Sequence, residues 1–223
     1  MLKVISNFTL YFGMALAVMI AVYSLRYLID GADSVDALSQ TDALLGYLFG
    51  QEGTFWHDFA VSQKPLYHLS EFAVVAHIST ASIAVLAGMF QFVPFIRNKI
   101  PLLHRASGYL YAFTATLGLA LGAFISVTLP MVGGTKTILF NVLGGSLGIS
   151  FILVSFVSIW RQQYLKHGQW MLRSYAVLMT ILTIYLLIGV FSSLGLSAEL
   201  GYGLAHMICF PLNLLIAELY SYA

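Results

Sequence analysis

Charge and cysteine are both scarce in this chain of 223 residues. Charged side chains make up 9% of it, whereas an ordinary soluble domain has roughly 25%. The single cysteine, Cys209, excludes an intramolecular disulfide and a thiolate metal cluster. A net charge of +1 argues against nucleic-acid binding, because neutralising phosphates requires a strongly basic face. Hydrophobic residues account for 60% of the chain, so the composition predicts an integral membrane protein.

Long apolar runs are what the chain has in abundance. A helix needs about 20 mostly apolar residues to cross about 30 Å of hydrocarbon. The first run follows Lys3 and is longer than the apolar region of a signal peptide, so we expect it to be retained. The sequence therefore predicts an all-α bundle of six transmembrane helices, forming one membrane domain over residues 1–223. The runs cover residues 5–29, 70–96, 104–129, 138–160, 171–195 and 201–220.

The cations are divided unequally between the two sides of the predicted bundle. With a cytoplasmic N-terminus, seven of the ten lie inside, as the positive-inside rule requires. Both termini are then predicted to be cytoplasmic, and residues 30–69 form an outer loop. The aromatic second half of this loop predicts that part of it lies at the membrane interface or caps the bundle. The inner cations are Lys3, Arg97, Lys99, Arg105, Arg161, Lys166 and Arg173, and the outer ones are Arg26, Lys64 and Lys136.

Two histidines, His77 and His206, lie within predicted spans at similar depth from the outer side. Ionisable groups in a bilayer are rare and usually face the bundle interior or a cavity. Two neutral imidazoles from different helices are the axial ligands that a b-type haem uses. The pattern favours haem ligation, with copper or another metal as an alternative. Histidines that merely hydrogen-bond a neighbouring helix would have the same spacing.

The outer loop offers a second, looser set of ligands. His68 and Glu71 are three residues apart, hence on one face if helical, and His57 precedes Asp58. Imidazole with carboxylate suits zinc, copper or iron. The spacing is consistent with two hypotheses: a metal site at His57 and His68, or a solvated loop that binds no metal.

The inner side carries two clusters of cations and aromatic residues. His104 and Arg105 begin the third span, while His167, Trp170 and Arg173 recur at helical spacing on the fifth. Facing each other, the clusters would form a cationic pocket for a lipid phosphate, a quinone headgroup or a haem propionate. Positive-inside anchors with a tryptophan belt are the alternative.

These clusters carry a resemblance to a known family. Residues 70–195 resemble a bacterial membrane family of unknown function (domain of unknown function 2306), which implies a four-helix core with flanking first and sixth helices in a bacterial inner membrane. The chain is also similar, in helix count and in histidines near both faces, to six-helix cytochromes b of the ascorbate-reducible type. The matching residues are His77, Gln91-Phe92, Arg97, His104, Arg105, Gly108, Tyr111, His167, Trp170, Met171, Arg173, Ser174 and Tyr175.

Two functions remain open at this point. The first is a membrane haem b protein that passes electrons between a quinone or outer donor and a partner. His77 and His206 would be its axial ligands, and His104 and His167 either a second pair or part of a quinone or propionate pocket. The second is a non-catalytic accessory or assembly subunit of a larger respiratory complex. Such a subunit should present a face of small residues to its partner, and residues 144–158 are a candidate for that face.

Overall fold

The computed structural model describes residues 2–40 and 55–222, with side-chain surroundings for residues 12–40 and 55–221. Within these ranges the structure is helical and contains no strand, which confirms the predicted all-α fold. The α-helices are α1 (Leu2–Ser24), α2 (Tyr27–Asp30), α3 (Phe55–Leu69), α4 (Glu71–Met89), α5 (Pro94–Lys99), α6 (Pro101–Thr128), α7 (Gly134–Trp160), α8 (Tyr164–Leu178), α9 (Thr180–Ser193) and α10 (Ala198–Tyr222), with 3-10 segments at Gly31–Leu38 and Phe90–Phe92.

Six segments of the described chain are long and apolar enough to cross a membrane, the number that the sequence predicts. Large apolar side chains such as Phe113, Leu153 and Leu219 are exposed on the outside of the bundle. Exposed apolar surface of this extent suits contact with lipid. The segments are Phe12–Leu38, Glu71–Phe92, Pro101–Thr128, Gly134–Trp160, Tyr164–Ser193 and Ala198–Ser221.

The spans pack as a sequence of neighbouring antiparallel helices. The helix α4 packs along α6, α6 along α7, and α7 along α8, as expected for the four-helix core, and α1 lies against α4 and α9. The last helix, α10, contacts α7, α8 and α9 and buries His206, Cys209 and Asn213. The last helix packs beside the four-helix core and α1 packs on α4 and α9, so both take the flanking positions that the resemblance implies.

The fifth span is interrupted, which the continuous apolar run over 171–195 does not predict. The helix α8 ends at Leu178 and α9 begins at Thr180. The side-chain amide of Asn213, on α10, donates to the Ala176 carbonyl at 3.1 Å and accepts from the Thr183 hydroxyl at 2.7 Å. A side chain inserted into the backbone ladder is a common cause of a helix break. Asn213 thus provides hydrogen bonds to polar groups at the break, which lipid could not provide.

One end of the bundle is covered by residues that follow α1, here called the cap (residues 26–38 and 55–69). Phe55, Trp56 and Phe59 are buried on its inner side, and Phe59 packs on the Tyr202 ring of α10 at 5.1 Å between centroids. The predicted outer loop therefore closes the bundle, as one of the two expected arrangements had it. Its residues 41–54 lie outside the described ranges.

The outer surface of the cap is held by ion pairs. The Lys64 ammonium lies 3.0 Å from Asp33 and 2.5 Å from Asp36. Hydrogen bonds to these carboxylates raise the pKa of Lys64 above its usual value, so this amine stays charged. His68 also contacts Asp33, at 3.2 Å.

The turn between α6 and α7 fits against α10 through glycine. Gly133 has a φ of +82°, and a Cβ built there would lie 2.6 Å from the Gly203 nitrogen. Only glycine meets both conditions. Gly201 and Gly203 lie inside α10 and are buried, so they allow α10 to pack closely against its neighbours.

Candidate functional site

A cavity of about 290 Å³ occupies the capped half of the bundle. Its walls come from α4, α6, α7, α9 and α10, and Trp56, Phe59 and Tyr67 of the cap contribute to its lining. Ligand pockets in proteins span roughly 300–1,000 Å³, so this cavity is close to the lower end of that range. Both His77 and His206 line it, which brings together the two histidines that the sequence singles out.

The imidazole of His77 is fixed on two sides. Its Nδ1 lies 2.7 Å from the Gly118 carbonyl oxygen of α6. Since a carbonyl can only accept, Nδ1 carries the proton, and in the neutral ring Nε2 carries a lone pair. Behind the ring, a Cβ on Gly122 would lie 2.7 Å from its Cε1 atom. Glycine at this position gives the imidazole its room.

His206 has the same tautomer by the same reasoning. Its Nδ1 donates to the Tyr202 carbonyl at 2.9 Å, one turn earlier on α10. Its ring lies 4.4 Å from the Tyr202 ring between centroids, and the side chain is 5% exposed. Metal-ligating histidines almost always donate their second ring N–H to a carbonyl or carboxylate. Both histidines therefore have the hydrogen-bonding pattern of axial haem ligands.

Further polar groups of the cavity wall escaped the sequence reasoning. They are Arg26 and the tyrosines Tyr27, Tyr67, Tyr185 and Tyr202. The clue in the sequence was an arginine at the end of an apolar run, a position where an intramembrane charge indicates a functional site. The tyrosines gave no comparable signal, because Tyr is ordinary at membrane interfaces.

At the opposite end of the bundle, His104 and His167 are close enough to interact electrostatically. His167 Nδ1 lies 2.7 Å from the Ser155 hydroxyl and 3.1 Å from the Ser155 carbonyl. The Nδ1 atom of His104 is buried and has no hydrogen-bond partner. Both members of the predicted pair thus lie at this end of the bundle, and His104 has one ring nitrogen without a partner.

The arginines of the predicted inner pocket are placed differently from this pair. Arg173 donates to Glu218 of α10 at 2.5 and 2.9 Å and lies over the Trp170 ring at 4.4 Å. Arg105 is exposed. The bidentate ion pair with Glu218 already occupies the Arg173 guanidinium, so Arg173 connects α8 with α10, whereas the Trp170 ring packs on Phe151 of α7.

Other residues of the shared motifs hold helices together. The Tyr111 hydroxyl lies 2.8 Å from the Ser174 hydroxyl, and Tyr175 donates to the Val85 carbonyl at 3.1 Å. Gln91 donates to the His104 carbonyl at 3.0 Å and to Ser107. These contacts join α4, α6 and α8. The dense sequence motifs of this region therefore reflect helix packing as much as a catalytic or binding role.

The predicted metal ligands of the outer loop are dispersed. His57 is exposed, and His68 faces Asp33, whereas Glu71 accepts from the Ala32 nitrogen at 2.9 Å. The helix is interrupted at Ser70, so His68 and Glu71 do not share one continuous face. Within the described part of the chain, no three His, Cys, Asp or Glu side chains come together to hold a metal ion.

Residues 144–148, with the sequence GGSLG, match the nucleophile motif G-x-S-x-G. That motif requires a sharp turn from a strand into a helix, whereas these residues lie inside α7 with Ser146 exposed. Gly144, Gly145 and Gly148 are buried within the chain. The match carries no chemistry, and the small-residue face expected to meet a partner subunit is occupied by neighbouring helices instead.

Comparison with known proteins gives one match. The sequence profile of a family described as "predicted membrane protein (DUF2306)" matches residues 74–221. The matched part contains His77, His104, His167 and His206, whereas the cap precedes it. No curated protein and no solved structure matches the chain.

Proposed function

Because the chain belongs to the membrane family described as "predicted membrane protein (DUF2306)", a description that names no ligand, we propose its function from the cavity. The proposal is a membrane-embedded b-type haem electron-transfer protein, with haem in the cavity and His77 and His206 as axial ligands. One observation carries it. Two imidazoles on different helices line the same cavity, and each has its Nδ1 proton donated to a carbonyl.

The residues present suit haem better than a bare metal ion. Copper or zinc takes about three or four protein ligands, whereas haem iron needs only two axial ones from the protein. When bound, haem b supplies a one-electron carrier within the membrane.

The rest of the proposal concerns direction and partners. The capped end, with Asp33, Asp36 and Lys64, faces the outside of a bacterial inner membrane, and both termini are cytoplasmic. The opposite end carries most of the cations, which supports this orientation. His104 and His167 receive a quinone headgroup there, because His104 has a buried ring nitrogen without a partner. The electron acceptor or donor is another membrane or respiratory subunit.

The first experiment is a dithionite-reduced minus oxidised spectrum, with pyridine haemochrome quantitation, of protein purified after expression with added haem precursor. We expect about one haem b per chain. His77→Ala and His206→Ala should each lose the sharp bis-histidine bands, whereas the exposed His57→Ala should keep them as a matched control. His104→Ala and His167→Ala should retain the haem and change quinone reactivity.

A well-folded preparation without haem would refute the proposal. Co-purification of respiratory subunits with that haem-free protein would favour the accessory role instead. If both His77→Ala and His206→Ala retain haem, other residues must ligate its iron.

A further inference from the structure

Arg26 is a cation without a counter-charge on the cavity wall. It lines the capped end of the cavity, and no carboxylate oxygen of the described residues lies within 4 Å of its guanidinium nitrogens. Its Nη2 donates to the Ser34 carbonyl, and the group lies 4.0 Å from the Tyr23 ring centroid. Its Nε is buried and has no acceptor. Arginine remains protonated under all ordinary conditions.

None of the three carboxylates in the surface groove beside Arg26 is paired with it. Asp33 and Asp36 pair with Lys64, and Asp30, one turn after Arg26, lies more than 4 Å from its guanidinium nitrogens. A buried charge without an ionic partner is energetically costly. A half-buried guanidinium with a free N–H beside a cavity is therefore suited to an anion that enters the cavity.

Four tyrosines line the same cavity as this guanidinium and can act as neutral donors. Tyr27, Tyr67, Tyr185 and Tyr202 line the same cavity, and none of their hydroxyls hydrogen-bonds another described residue. The guanidinium carbon of Arg26 lies 6.0 Å from the Tyr27 ring centroid. Burial raises the pKa of Tyr67, so its phenol keeps the proton that it can donate.

We infer that the capped end of the cavity binds a carboxylate, with Arg26 as the charged donor and the tyrosine hydroxyls as neutral donors. The carboxylate belongs either to a haem propionate, in which case the inference rests on the proposed function, or to a free organic acid. Both share the chemistry that a guanidinium recognises through paired N–H groups. Cavities with one charged anchor and a mainly aromatic wall are typical of small-molecule sites.

The first arm of the test compares haem with haem dimethyl ester, in which both propionates are blocked. Each is titrated into the haem-depleted full-length protein in detergent. A charge-assisted hydrogen bond lost from a buried site weakens binding by about 10- to 100-fold. We expect the ester to bind that much more weakly to the wild-type protein. Arg26→Gln should remove the preference and Arg26→Lys should keep part of it, whereas Lys136→Gln, an exposed cation outside the cavity, should leave it unchanged.

The second arm uses benzoate and its neutral counterpart benzamide in thermal unfolding of the same proteins. Stabilisation by benzoate alone, lost in Arg26→Gln, would support a free organic acid as the ligand. That result without any haem binding would uphold the carboxylate site and overturn the haem proposal. Equal binding of haem and its ester, with no response to benzoate, would overturn the carboxylate site and leave the haem proposal standing. No response to any of the four compounds would overturn the carboxylate site, and the failed haem titration would count separately against haem.

Discussion

Gly88, where α4 crosses two buried tyrosine rings, is the position at which packing can be tested most sharply. A Cβ there would lie 2.5 and 2.7 Å from ring carbons of Tyr175 and 2.8 Å from one of Tyr111. Carbon atoms normally approach to about 3.5–4.0 Å. Both rings are almost fully buried and are held by their hydroxyls, Tyr175 on Val85 and Tyr111 on Ser174. Neither ring can therefore move without breaking a hydrogen bond.

The cost of Gly88→Ala follows from three contributions. Overpacking a well-filled interior costs about 1–3 kcal/mol, and a buried polar group left without its partner costs about 1–3 kcal/mol more. Alanine recovers roughly 1 kcal/mol through its higher helix propensity. We expect a net loss of about 3 kcal/mol in the free energy of unfolding, or about 100-fold in the unfolding equilibrium constant.

The matched control is Gly168→Ala on α8, where a Cβ would meet nothing within 4 Å. At this position only the gain in helix propensity applies, so the free energy of unfolding should rise by about 0.5–1 kcal/mol. Both variants and the wild-type protein would be unfolded with sodium dodecyl sulfate in mixed micelles and followed by circular dichroism. If Gly88→Ala unfolds at the same detergent fraction as Gly168→Ala, the close contact with the two rings does not exist and the packing of α4 on α6 and α8 is wrong.

Two further experiments address the contacts between helices, each measured by the same unfolding assay. Tyr111→Phe and Ser174→Ala should each cost about 1 kcal/mol, and the double variant should cost little more than either single one, because they remove the same hydrogen bond; strict additivity would mean that the hydroxyls do not interact. Asn213→Leu should cost about 2 kcal/mol, because the Ala176 carbonyl at the helix break loses its donor within an apolar interior; an unchanged midpoint would show that the break does not depend on the asparagine.

The six spans could be predicted from the sequence because apolar length alone decides them. A run such as 104–129 must form a helix once in the membrane, since no other structure satisfies its backbone there. The break at Met179 could not be predicted in this way. It depends on Asn213, which is distant in sequence and close in space, and a hydropathy profile contains no such pairing.

The candidate site was predicted in part for a similar reason. Histidines in an apolar run are conspicuous, so His77 and His206 were found, and the structure places both on one cavity. The carbonyl partner of His77, on α6, and the unpaired guanidinium nitrogen of Arg26 depend on tertiary packing and could not be read from the sequence. The inner pocket was expected to include Arg173, but an acid 45 residues later, Glu218, takes that side chain. The spacing of residues within one helix does not show whether a residue of another helix binds the same side chain.

The cap has a consequence for the order in which the chain is assembled. It is synthesised directly after the first span, but the surface on which Phe59 and Trp56 rest belongs to Tyr202 and Tyr185 of the last two helices. These aromatic contacts of the cap therefore cannot form until α9 and α10 have been synthesised and inserted. Until then the cavity has neither a roof nor its His206 wall. A ligand has its widest route of entry during this late interval, so delivery of the ligand should be most efficient when it is present while the last helix is being inserted.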